Sequence, residues 1–341
     1  MGGAMVKISD VAALAGVSPS AVSRVLSGDS TLRVSEQTRA RVLAAAQQLD
    51  YVPNHAGRSL RTSRSSTIAL VVPDVTSAVF AELARGAEHE AAARGLAIVL
   101  GRSESMAESS AEGAEWLRRM VAEGRIDGVI LQLPDDAPEV PALGATSAPV
   151  VVINSIADGP RSTIILDDAA GIRIAVDHLS GLGHERIGFV GGLPGSATGA
   201  RREGGFRGAL NDAGLAVDER WMTALGYTGS DGRAAIEELL RRGGLPSALV
   251  VANLNAALGV LAAIHARGLR VPDDVSIVAL HDVWYADATW PPITTVRMPL
   301  GELGVAAVAH VAERSNEVTH VVIETPAPQL MLRESTSRPS R

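Results

Sequence analysis

Between residues 18 and 24 the run Ser-Pro-Ser-Ala-Val-Ser-Arg sets small hydroxyl side chains and one arginine on a single surface. Helical spacing turns Pro19, Ser20, Ala21, Ser23 and Arg24 outward and Val22 inward. Small residues at the start of such a helix let its end approach base edges closely. Arg24, one turn further along, carries a planar fork that matches a guanine edge or a phosphate. Ser18 and Ser23 are sized to hold phosphate oxygens. This is the chemistry of reading a DNA groove. Catalysis has no comparable set. The chain lacks a His-x-x-x-His pair, a Gly-x-Ser-x-Gly elbow and a phosphate loop, and Lys7 is its only lysine. The turn Gly191-Gly-Leu-Pro-Gly195 follows a strand pattern, but its spacing and Pro194 spoil a dinucleotide site. Neither an enzyme nor a cofactor or metal is expected.

The elements that must position these residues are short helices. Residues 8–15 bring Val11, Leu14 and Ala15 to one face, and Gly16-Val17-Ser18 breaks that helix. Ser18 is an N-cap residue and Pro19 occupies the first helical position, where its missing N–H costs nothing. The second helix runs to about Leu26, with Val22, Val25 and Leu26 inside. Ser35 caps a third, to about Leu49, with Val42, Leu43, Ala46 and Leu49 inward. A helix, a tight turn and a short second helix form the unit that places a recognition helix in a major groove.

From Thr67 the pattern changes. Short aliphatic runs at 67–72, 96–100, 127–133, 149–154, 163–166, 186–191, 248–252 and 275–280 alternate with amphipathic stretches. Strands that do not alternate in polarity are buried on both faces, so parallel sheets covered by helices are expected. The series falls into halves near 67–160 and 161–290, parted at Asp158-Gly159-Pro160. Two doubly wound lobes with a ligand cleft at the carboxyl ends of their strands follow. The expected fold is therefore an all-α helix-turn-helix head and an α/β two-lobed body.

Charge divides the chain in the same place. The whole carries −7, but residues 1–65 hold eight basic side chains against four acids, which leaves +4 on the head and −11 on the rest. A basic head on an acidic body suits two functions, since phosphate attraction depends on the local patch. Cysteine is absent and no apolar run approaches the length that spans a bilayer. Met1 to Val6 do not read as a secretory signal. A cytoplasmic, nucleoid-associated protein with no membrane partner is expected.

The run Ile8-Ser-Asp-Val-Ala-Ala-Leu-Ala-Gly-Val-Ser-Pro-Ser-Ala-Val-Ser-Arg-Val-Leu-Ser27, then Val34-Ser-Glu-Gln-Thr-Arg39 and Leu49-Asp-Tyr-Val-Pro-Asn54, resembles the lactose-repressor family. The likeness is dense over 7–62 and weaker to about 334. It implies a DNA-binding domain at 1–52 and a hinge at 53–65. It implies a two-lobed effector-binding and dimerisation domain at 66–334, its first lobe formed by 66–160 and 296–322 and its second by 161–295 and 323–334. Residues 335–341 read as a disordered tail. The resemblance further implies a homodimeric repressor on a palindromic operator in double-stranded DNA, controlled by a sugar, a sugar acid or a phosphorylated sugar. Asn54 and His55 would join the DNA contacts, and Leu60 matches a leucine wedged into the minor groove. For the ligand it selects Phe80, Arg102, Asn154, Thr198, Arg202, Tyr227, Asn253, His281 and Asp282.

Some positions depart from the family pattern. Lys7 replaces the usual capping Thr or Ser. The stretch between Gly28 and Val34 looks about two residues longer. Gly57 replaces a helix former in the hinge, at a propensity cost of roughly 1 kcal/mol. Leu254 and His281 stand where the family usually has Asp, and Arg102 where a small polar residue is common. A neutral His281 could accept from a hydroxyl, while a protonated one would favour an acidic ligand.

Overall fold

The computed structural model describes residues 6–27, 29, 31–51, 64–103, 112–133, 148–155, 161–314 and 317–340. It separates into two compact units, 1–65 and 66–341.

In the first unit α1 (Ile8–Ala15), α2 (Pro19–Leu26) and α3 (Glu36–Gln48) pack around Val11, Ala12, Ala15, Val22, Val25, Val42, Ala45 and Ala46. Gly16 ends α1 in the left-handed region at φ 64°, which a glycine adopts without the Cβ penalty. Ser18 Oγ accepts from Ala21 N–H at 3.2 Å and Ser35 Oγ from Thr38 N–H at 3.2 Å, so both expected caps form. Lys7 has no acceptor in its side chain, and only the return half of a capping box forms, Lys7 N–H donating to Asp10 Oδ2 at 2.8 Å. Two expected core residues face solvent: Leu14 and Leu43 are exposed, and Ala12 and Ala45 are buried instead. The inward stripe of α1 is Ile8, Val11, Ala12 and Ala15, the i, i+3, i+4, i+7 set, which leaves Leu14 on its flank.

The second unit holds two six-stranded sheets. The first has the order β11-β5-β4-β3-β1-β2, from β1 (Thr67–Val72), β2 (Ala97–Arg102), β3 (Gly128–Leu131), β4 (Val150–Ile153), β5 (Ser162–Leu166) and β11 (His320–Ile323). All its pairings are parallel. The second has the order β12-β10-β9-β8-β6-β7, from β6 (Ile187–Gly191), β7 (Met222–Ala224), β8 (Ala248–Val251), β9 (Ser276–Leu280), β10 (Thr294–Arg297) and β12 (Gln329–Met331). Among the described strands only β12 runs antiparallel to its neighbour. The central strands are buried along their whole length, as sheets covered on both faces require.

Helices α4 (Ala78–Ala93), α5 (Glu112–Ala122) and α10 (Leu300–Glu313) belong to the first sheet, and α6 (Asp168–Gly181), α7 (Ala197–Asp212), α8 (Gly229–Arg241) and α9 (Leu254–Ala266) to the second. Helices α4 and α10 cross at glycine. A Cβ on Gly86 would strike the Gly301 backbone, and one on Gly304 would strike Leu83 O.

The chain crosses between sheets three times: after β5, between β10 and α10, and between β11 and β12. The expected lobe boundaries therefore shift. Strand β5 pairs with β4 in the first sheet, so the first crossing follows Leu166 and not Asp158-Gly159-Pro160. The breaker residues marked the strongest turn signal, while no breaker marks the true crossing, where Asp167 caps α6 by accepting from Ala170 N–H. Residues 296 and 297 stay with the second sheet in β10, and 323 ends β11 in the first. The expected disordered tail is also corrected. Ser335 is fully buried, its Oγ accepting from Thr294 N–H at 2.8 Å and donating to Ile277 O at 2.6 Å. Ser337 O lies 2.8 Å from His184 Nε2. A run of small hydroxyl residues reads as disorder in composition, yet it suits a segment that satisfies backbone groups at the starts of β9 and β10. Among the described residues no helix is long and apolar enough to cross a membrane.

Candidate ligand pocket and nucleic-acid interface

The carboxyl ends of both sheets open on one cavity of about 430 Å³. Asp74 follows β1, Gln132 and Leu133 follow β3, and Asn154 follows β4; Leu193, Tyr227, Asn253 and His281 follow β6, β7, β8 and β9. The first turn of α4 adds Phe80, and α7 adds Thr198 and Arg202. Seven of the nine residues expected at a ligand site, Phe80, Asn154, Thr198, Arg202, Tyr227, Asn253 and His281, thus line one cavity. Asn154 and His281 turn out of their strands in the left-handed region, at φ 53° and 69°, which Asn and His adopt more readily than most residues.

Many of these polar groups bind one another. Asp168, at the start of α6, is 1% exposed and takes Arg202 Nε at 2.8 Å and Arg201 Nη2 at 2.9 Å. Arg202 Nη1 donates to Ala252 O at 2.8 Å and Nη2 to His281 Nε2 at 3.0 Å, while its guanidinium lies 5.7 Å over the Tyr227 ring. Because an arginine only donates, His281 accepts at Nε2, and in the neutral ring the proton sits on Nδ1. Burial, with the Arg202 charge beside it, holds the His281 pKa well below the ordinary value. The protonated form that would favour an acidic ligand is therefore disfavoured. Asn253 caps α9 through Oδ1, with Ala256 N–H at 2.8 Å, and donates from Nδ2 to Tyr227 O at 3.1 Å. Its part is to hold Tyr227 and the start of α9.

Contacts also span the cleft. Thr198 Oγ1 donates to Asn154 O at 2.7 Å, and Arg201 Nη2 to the same oxygen at 3.0 Å. Asn255 Nδ2 donates across the cleft to Ser77 Oγ at 3.0 Å, and within the second lobe Tyr285 OH donates to Asn255 Oδ1.

Two expected ligand residues lie elsewhere. Arg102 ends the edge strand β2 and is not among the residues that line the cavity. Asp282 follows His281 and points away from it, accepting from Thr295 Oγ1 at 2.7 Å, Arg297 Nη2 at 2.5 Å and Arg333 Nη2 at 2.7 Å. Burial opposes its ionisation, but these hydrogen bonds outweigh it and hold the carboxyl below the ordinary range. Leu254, at the other position where the family has Asp, is buried core. Sequence reasoning missed Asp74, Gln132, Asp231 and Asn255, which also line the cavity. Asp74 and Gln132 had a signal in their position just after strands. Asp231 sits in the first turn of α8, where its Oδ2 accepts from Thr228 N–H at 2.9 Å.

In the other unit, Ser18, Pro19 and Ser20 are exposed, and Ala21, Ser23 and Arg24 are half-buried at the same surface of α2. Asn54, His55, Gly57 and Leu60 lie outside the described residues.

A helix-turn-helix unit joined to a two-lobed α/β body with a polar and aromatic cleft defines a ligand-sensing DNA-binding regulator. Residues 7–54 match the bacterial regulatory proteins of the lacI family, and residues 176–336 match a periplasmic binding protein-like domain. The chain is 32% identical over 336 residues to the HTH-type transcriptional repressor PurR of Pasteurella multocida (strain Pm70), covering 97% of this chain and 98% of that protein. It is similar to the transcriptional regulator CelR in complex with cellobiose (30% identity, TM-score 0.71, covering 97% of this chain and 99% of that one). It is also similar to the lac repressor dimer bound to operator and the anti-inducer ONPF (25% identity, TM-score 0.78, with the same coverage). The chain belongs to the lacI family of bacterial regulatory proteins, and it is a DNA-binding transcription regulator with an effector-binding body.

Proposed function

We propose that this regulator is a cytoplasmic, homodimeric repressor that acts at the nucleoid on a palindromic operator, and that the effector in its cleft is an uncharged sugar. The observation that carries the ligand class is the charge pattern of the cavity. Asp74 and Asp231 bring carboxylates to it, Arg202 is matched by Asp168, and His281 is held neutral. Carboxylates and amides accept and donate to hydroxyls, while Phe80 and Tyr227 offer apolar faces to a ring. A sugar acid or phosphorylated sugar would set its anion beside these two carboxylates, while Arg202 of the lining and its neighbour Arg201 are both already engaged by Asp168.

Two-fold symmetry follows from the reach of one short recognition helix, whose few base contacts at about 1–3 kcal/mol each give too little specificity alone. Exposed apolar side chains on the body support self-association: Trp284 and Trp290 on the second lobe are 79% and 81% exposed, and Leu100 at the edge of the first sheet is exposed. The hinge at 53–65, read from sequence, would couple lobe movement to the two heads.

The test is a thermal-shift screen of neutral sugars, uronic acids and sugar phosphates, followed by operator binding with and without each hit. Neutral sugars alone should raise the melting temperature, and His281→Ala should abolish that shift. Stabilisation by acids or phosphates alone refutes the ligand class. Loss of operator binding should be steep in salt, at a slope of about −0.9 per phosphate neutralised.

A further inference from the structure

The arginine of the recognition helix is gripped from the segment that follows it. Arg24 donates from Nε to Asp29 Oδ2 at 2.8 Å and from Nη2 to Thr31 Oγ1 at 3.1 Å. Thr31 donates its hydroxyl at 2.6 Å and its backbone N–H at 2.9 Å to the other carboxylate oxygen, Asp29 Oδ1. Asp29 is itself tied to the helix, its N–H donating to Arg24 O at 3.1 Å. Leu32 N–H donates to Asp29 O at 3.3 Å, and Leu32 packs on the head's core. The carboxyl of Asp29 is held far below the usual carboxylate range, first by the hydrogen bond from Thr31 and then by that from Arg24. Asp29 and Thr31 belong to the stretch that runs longer than the family pattern.

We propose that Asp29 and Thr31 are positioning residues that fix which edge of the Arg24 guanidinium reads DNA, and that they restrict it to end-on recognition of one guanine per half-site. A guanidinium can address a guanine through its Nε/Nη2 side or through its Nη1/Nη2 end. Asp29 and Thr31 occupy the side. What Asp29 and Thr31 leave open is the end, where Nη1 and Nη2 can each direct a hydrogen along parallel lines at the spacing of guanine O6 and N7. The clamp also removes rotamers that a free arginine would lose on binding. The Asp29 charge further weakens the general attraction of Arg24 to phosphate, which separates a base reader from a backbone anchor.

The inference rests on the DNA-reading role of α2, and one arm of its test reports on that role separately. The full-length protein selects from a duplex library with two randomised half-sites in palindromic arrangement, and the enriched pool is sequenced. The wild type should enrich guanine at one position of each half-site, and Arg24→Ala should erase that preference. Asp29→Asn and Thr31→Ala should lower discrimination for guanine at that same position by about tenfold, the worth of one good bidentate contact. Other positions should keep their preferences, and affinity for random duplex should be unchanged or higher in Asp29→Asn, which carries one negative charge fewer. Asp29→Asn added to Arg24→Ala should change nothing further at that position. A wild-type guanine preference in Asp29→Asn overturns the proposal. So does a loss spread evenly over all positions, which is what a loosened head would give. If Arg24→Ala keeps the guanine, the reading of α2 itself fails.

Discussion

Asp168→Asn tests the frame of the pocket with a change of almost no volume. The carboxylate is 1% exposed and takes one arginine at 2.8 Å and a second at 2.9 Å. Removing one partner of a buried ion pair typically costs about 3–5 kcal/mol, because the other charge stays behind uncompensated. Here Arg202 is 6% exposed and cannot regain water, whereas Arg201 is 21% exposed and recovers part of its hydration. The expected loss is therefore near the lower end, about 3 kcal/mol, or a fall in melting temperature of about 6–12 °C for a unit of this size. The exposed pair Arg85–Glu82 supplies the control, since Glu82→Gln should stay within about 0.5 kcal/mol. Urea unfolding followed by circular dichroism and tryptophan fluorescence measures the loss, and coincident transitions license a single free energy. Arg202→Met on the Asp168→Asn background should recover part of it, because the stranded charge is gone. Glu82→Gln and Asp168→Asn falling together would refute the reasoning, as would a double variant whose losses simply add.

Three further changes probe other parts of the chain. Burial and the Arg202 charge keep His281 neutral in the folded state, whereas below about pH 6.5 the unfolded chain takes up the proton, so stability should fall as pH drops through that value. His281→Asn, which suits the left-handed backbone, should make the unfolding free energy from urea titrations fall less steeply between pH 7.5 and 5.5, by up to about 1.4 kcal/mol per pH unit; parallel curves would sink the claim. Some slope should survive in His281→Asn, because burial also lowers the pKa values of His178 and His184. Ser335→Ala strands Thr294 N–H and Ile277 O and should cost about 1–3 kcal/mol, and a stop after Glu334 should cost more; an unchanged melting temperature in the truncated chain would show that the segment holds nothing. Gly57→Ala should tighten operator binding several-fold in a fluorescence-anisotropy titration, and an unchanged affinity would remove the hinge's propensity from the account.

The head was legible because its signals are local. Caps at Ser18 and Ser35, the break at Gly16 and the valines of α2 depend on neighbours within four residues, and each forms as its chemistry dictates. The misplaced residues, Leu14 and Leu43, are large side chains on helix flanks. Hydrophobicity alone assigned them inward, whereas the close approach of three short helices selects Ala12 and Ala45. In the body eight strands were legible as aliphatic runs, but the short edge strand β7 was not read, nor were the later strands β10 to β12 and the helix α10. They carry the second and third crossings, and which sheet a four-residue strand joins depends on partners more than a hundred residues away, as with β11 beside β5.

The pocket shows the same limit at finer grain, in one pair of adjacent residues. His281 and Asp282 were both assigned to the ligand by the family resemblance, but consecutive residues leaving a strand face opposite sides. Only one of the two can point into the cleft. His281 does, and Asp282 faces Thr295, Arg297 and Arg333. The acceptors that the cavity gains come instead from Asp74 and Asp231, on separate lobes, whose meeting no spacing in the chain encodes. Matching positions to a family thus found the frame that holds Tyr227 and Arg202, while the carboxylates of Asp74 and Asp231 at the cavity became visible only once both sheets were in place. The proposed preference for a neutral sugar over a sugar acid or phosphorylated sugar rests on those two carboxylates and on the neutral His281.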